Sequence, residues 1–170
     1  MIGCCSYGEC KQVYLLVFLF RLWYSKCLNG VIWVRKACAQ LTSSIQNISI
    51  DVGSSVSIYS NCCIQNPIVL SNRDVKVMSD LDHVIIRDQH RNERLDGCDS
   101  VDLIVPVRKN LLSIDIRCRF GHLTMNDIGL SWLKAKADNG ITLMDTYFTS
   151  CDLCSETGDI AVSLHDDIRN

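Results

Sequence analysis

The chain has 170 residues, 48% of them hydrophobic and 21% charged, which suits one domain with a buried core and excludes a disordered chain. Its net charge of −2 excludes broad electrostatic attraction to nucleic acid. Two prolines and nine glycines argue against low-complexity linkers, and eleven cysteines, an odd number at irregular spacing, do not look like a secreted disulfide framework.

Most of those cysteines read as reduced thiols serving as small apolar residues. Five of them, Cys4, Cys5, Cys10, Cys27 and Cys38, fall in a basic amino-terminal zone. Residues 1–50 hold five cations (Lys11, Arg21, Lys26, Arg35, Lys36) against Glu9, a net of +4 that leaves −6 for the rest. An eight-residue apolar run over 13–20 ends at Arg21, far short of the ~20 residues that span a bilayer. A membrane tether through residues 13–34 must accept Arg21 and Lys26 near its middle. Ala37-Cys38-Ala39 resembles a secretory cleavage site but lies far from the apolar run. Spaced basic residues in an acid-poor, serine-containing stretch fit a mitochondrial presequence. Residues 1–44 are therefore expected to form a targeting or anchor segment. A mitochondrial location is the first expectation; membrane anchoring, the secretory pathway and no targeting role stay open.

From residue 45 onward the expectation is one domain, 45–170. "NISIDVGSSVSIYS" alternates Ile48, Ile50 and Val52, then Val56 and Ile58, and "DVKVMSDLDHVIIRD" alternates Val75 and Val77, then Val84 and Ile86. Period two broken by Gly, Asn, Asp and Ser predicts short strands and turns. "RDQHRNERLDG", from Arg87 to Gly97, reads as a charged, solvated connection, and Pro106 marks a strand end or edge.

Three units then repeat: "LSIDIRCRFGHLTM", "SWLKAKADNGITLM" and "CDLCSETGDIAV". Each has a strand, a turn glycine and a second strand, and the glycines (Gly121, Gly140, Gly158) recur at almost even intervals. Inward positions keep step, as Leu123 and Met125, Ile141 and Leu143, Ile160 and Val162. One such unit cannot cover its own apolar face, whereas stacked units align like with like every ~4.8 Å. The predicted class is all-β, a β-solenoid or parallel β-helix-like ladder with a period of about 19 residues. A β-sandwich is the second choice. Gly121, Asn139, Gly140, Gly158 and Asp159 are the expected structural turn residues.

The phrases "ADNGITL" and "ETGDIAV", together with "VDLIVPVRKNLLSIDI" before them, resemble the putative-adhesin domain family over residues 68–165. The resemblance implies a β-solenoid of unestablished function. An animal member of that family is thought to be mitochondrial, in line with the presequence reading.

No G-x-S-x-G, P-loop, dinucleotide fingerprint or H-E-x-x-H occurs, so neither enzyme activity nor a cofactor is expected. Cys151 and Cys154 form a C-x-x-C, but a turn follows where a redox motif needs a helix amino terminus. Zinc would require Cys62 and Cys63 to join them through the fold. Either use makes the alternative class, a cysteine-dependent metal or redox protein. Trp132, Tyr147 and Phe148 are the candidate contact surface. The function expected first is a non-enzymatic binding or scaffold domain for an unidentified protein partner. Self-association through the exposed terminal rung is expected as well.

Overall fold

The computed structural model describes residues 31–34, 38–88, 99–107 and 112–164, and these contain thirteen strands and no helix. The protein is all-β. In chain order the strands are β1 (Val31–Val34), β2 (Cys38–Gln40), β3 (Asn47–Val52), β4 (Ser55–Asn61), β5 (Ile68–Ser71), β6 (Val75–Ser79) and β7 (His83–Asp88). There follow β8 (Ser100–Pro106), β9 (Leu112–Cys118), β10 (Leu123–Asn126), β11 (Gly129–Ala137), β12 (Ile141–Ser155) and β13 (Ile160–Leu164).

They join into one nearly closed sheet that doubles back through β12. One limb runs β1-β6-β7-β3-β9-β11-β12 and the other β12-β10-β4-β8-β5-β2, with β13 paired to β12. Alternation explains the folding-over. β3 and β9 in the first limb and β10 in the second bury every second side chain, so each limb has one apolar face, and the two apolar faces share a single core.

Parallel neighbours put like over like. Ile48, Ile114 and Leu133 form one column in the first limb. Val56, Leu123 and Ile141, then Ile58, Met125 and Leu143, form two in the second. All nine side chains are buried. Partners in neighbouring units keep the interval of the turn glycines, as in Leu123↔Ile141 and Ile114↔Leu133.

The structure departs from a uniform parallel ladder in three ways. β5 and β6 pair antiparallel with β8 and β7, and β2 and β1 pair antiparallel with β5 and β6. The β3–β4 unit sits between β7–β8 and β9–β10, outside chain order. Finally, Ile160 and Val162 keep the inward register against Ile141 and Leu143 but are exposed, because no described strand covers their far side.

Two sequence boundaries also move. Pairing begins before residue 45: β1 and β2 belong to the sheet, and Ala39 is fully buried. The charged connection starts later than Arg87, since Arg87 and Asp88 complete β7. Asp88 is buried there, with Arg73 Nη1 3.0 Å from its Oδ2. Residues 89–98 of that connection, and residues 1–30 of the amino-terminal zone, lie outside the described set.

Candidate functional site

The expected turn residues gather at one corner. Gly121 lies against the backbone of Ser54 and Ser55 so closely that a Cβ there would run into it, and Gly158 lies the same way on Asn139. Gly140 has φ +121°, a conformation side chains other than hydrogen rarely permit. Hydrogen bonds climb this corner from unit to unit. Asn139 N donates to Gly121 O at 3.1 Å and Thr157 N to Asp138 O at 2.8 Å. The Asn139 amide donates to Phe120 O at 2.9 Å. Asp159 supplies the carbonyl that accepts from Ile141 N at 2.9 Å. His122 Nε2 lies 2.9 Å from Thr142 Oγ1. These side chains serve the corner itself.

A second corner uses aspartate where the first uses glycine. Asp127 (φ 53°) and Asp145 (φ 49°) turn the chain between limbs, and Asp127 N donates to Met144 O at 3.1 Å. A short polar side chain tolerates the left-handed region better than most.

The three aromatic residues do not make one patch. Trp132 and Tyr147 are 38% and 47% exposed, whereas Phe148 turns inward against the core. Trp132 pairs with Ser150 and Tyr147 with Gly129, so they belong to different register positions.

The four cysteines likewise fall into two pairs on different limbs. Cys151 and Cys154 lie on β12 in the first limb, opposite Leu133 and Lys136. Cys62 and Cys63 follow β4 in the second limb. Cys62 is a free thiol 3.7 Å from Cys63 Sγ, while Cys63 is disulfide-bonded. A disulfide sulfur is no thiolate ligand. Among the described residues no group of three or more His, Cys, Asp or Glu is placed to hold a metal ion.

Two other features stand out. The first is the terminal rung. On β13, Ile160, Val162 and Leu164 are 44%, 45% and 56% exposed. Phe148 and Leu153 of β12 are only partly buried against the core beside them. Among the described residues, β13 pairs only with β12, leaving its other edge open.

The second feature is a charged cleft that sequence reading missed. Outward positions of the first limb also stack, and Asp51, Arg117 and Lys136 are successive neighbours. With Cys118, Arg119, Phe120 and Glu156, Arg117 and Lys136 line a cleft of about 220 Å³. Arg119 grips Asp51 with both prongs, Nε to Oδ1 at 3.0 Å and Nη2 to Oδ2 at 3.2 Å. Lys136 Nζ lies 2.7 Å from Glu156 Oε1. The Lys136 hydrogen bond, then its charge, then Arg117 hold the Glu156 carboxyl below its usual range. The signal was in the sequence as Arg117 and Lys136, one repeat apart, but it becomes visible only once outward columns are registered.

No family model matches the sequence, and no curated protein matches it either. Among solved structures, the chain is similar to a putative cell adhesion protein from Clostridium sporogenes, with a TM-score of 0.43 and 8% identity. The match covers 77% of this chain and 96% of that one.

Proposed function

We propose that this chain is a non-enzymatic β-solenoid that binds by continuing its own ladder, and that the partner is a second copy docked on the terminal rung. The observation that carries this is the exposure of Ile160, Val162 and Leu164 at positions whose equivalents one rung earlier, Ile141, Leu143 and Thr146, are buried. Inside the protein each inward column is capped by the next strand. At β13 the same column meets solvent. Edge strands are usually blunted by lysine, proline or an inward charge, and "IAVSL" has none of these. Two copies related by a twofold axis would place identical columns face to face, the self-complementary arrangement that symmetric dimers use.

Sedimentation velocity on the full chain tests this. The expected result is a concentration-dependent dimer that Val162→Lys or Leu164→Lys returns to monomer. A strict monomer at every concentration reached would overturn the second-copy reading.

In the mitochondrial reading of the amino terminus, presequence removal must stop before Val31. Cleavage near residue 40 would strip β1 and β2 from the sheet and uncover β5 and β6. Peptide mass spectrometry of the native terminus reads this directly.

A further inference from the structure

We propose that the cleft bounded by Arg117, Arg119 and Lys136 is a binding site for a phosphate-type oxyanion. The argument starts from a broken local rule. Like charges directly opposite on neighbouring strands destabilise a sheet, and sequences usually avoid them. The adjacent outward column obeys: Asp115, Lys134 and Asp152 alternate in sign across β9, β11 and β12. The next column along the same strands reads Asp51, Arg117, Lys136, with two cations in register. Local conflicts of this kind tend to mark functional positions.

The conflict at Arg117 is relieved only in part, because the carboxylates near it are engaged first by other cations. Asp51, its neighbour on β3, is held in the fork of Arg119. Glu156 sits on Lys136. Arg117 itself forms no ion pair within 4.0 Å among the described residues. Three cations and one carboxylate line the cleft, and after Asp51 is set against Arg119 the unmatched positive charge is that of Arg117.

The occupant's chemistry follows. Guanidinium forks suit the paired oxygens of a phosphate, and an ammonium adds a point charge. A cleft of about 220 Å³ has room for such a group beside the Phe120 ring. The carboxylate of Glu156 already occupies Lys136, so an arriving dianion displaces it and gains both Lys136 and Arg117. Glu156 is therefore a built-in competitor.

The test is a titration of the isotope-labelled full chain with inorganic phosphate at fixed ionic strength, followed by amide shifts. Saturable shifts over Arg117–Phe120 and at Lys136 are expected. Arg117→Gln should weaken binding about tenfold, and Glu156→Gln should tighten it several-fold. Lys134→Gln, which removes the same charge from the same face outside the cleft, should leave it unchanged. All three positions face solvent, and a thermal melt checks that each variant folds. The proposal is overturned if shifts fail to saturate, if acetate matches phosphate, or if Lys134→Gln weakens binding as much as Arg117→Gln.

Discussion

Cys118 sits fully inside the core, in register with Val52 on one side and Ala137 on the other, and burial pushes its thiol up to about 12. A thiol so protonated and enclosed is inert at neutral pH. Iodoacetamide should label Cys62, Cys151 and Cys154, which are free and exposed, and spare Cys118 until the protein unfolds; peptide mapping reads the difference. The parity of Ile114, Ile116 and Cys118 made its inward direction legible in the sequence. Its depth was not, because depth depends on Val52 and Ala137, neighbours that only the strand register brings alongside. Asp102 gives a second residue-scale prediction. Burial raises its carboxyl above the ordinary 3.8, outweighing the Ser57 hydroxyl that favours the charged form. A raised folded value means the protonated form is preferred in the fold. That contribution is complete below the ordinary value and disappears as pH rises through the raised one. Asp102→Asn should therefore be more stable than the parent at neutral pH and flatten this part of the pH profile, as urea midpoints across pH would show.

At the scale of elements, the corner of stacked glycines and the bend of β12 decide how strands are aimed. Gly121→Ala forces a methyl into the Ser54–Ser55 backbone and should cost about 1–3 kcal/mol, measured by urea denaturation; a loss within error would mean the corner shifts freely. The three turn glycines were legible because their nearly constant spacing repeats in the letters themselves. Two element-scale features were not. Register shifts between Leu130 and Trp132, where Ser131 bonds Leu112 O at 3.1 Å, and no composition signal announces such a bulge. Tyr147 and Phe148 are adjacent in sequence yet separate in space, one outward and one inward, for which period two alone is sufficient once β12 is seen to continue through the bend.

Across the whole molecule, cover is uneven. β3 is paired on both edges, by β7 and β9, and all its inward residues are buried. β13 is paired on one edge among the described residues, and all five of its residues are exposed. In the monomeric Val162→Lys chain, hydrogen–deuterium exchange should therefore be slowest over β3 and β9 and fastest over β13 and the second half of β12. In the parent chain at dimer concentrations, protection over β13 should rise toward that of β12. The all-β class and the stacked columns of β9 to β13 could be read from the sequence. The seat of β3–β4 could not, since its contacts with β9 and β10 reach over four intervening strands, two of which, β7 and β8, take its other edges. Nor could the antiparallel edge, because β1 and β2 lie in a segment whose charge and hydrophobicity suggest targeting.

The Arg119–Asp51 fork has a consequence for assembly in time. As the chain emerges, β3 waits with one vacant edge, and two later strands have the spacing to fill it. β11 would fit by a slip of a single unit. In that misplaced register Asp138, which follows Ala137 as Arg119 follows Cys118, would stand where Arg119 belongs. A carboxylate would then oppose Asp51, and Ala135 and Ala137 would leave voids where Ile116 and Cys118 pack. The fork thus works as a key that only the earlier strand carries, letting a nearly self-similar chain count its own turns.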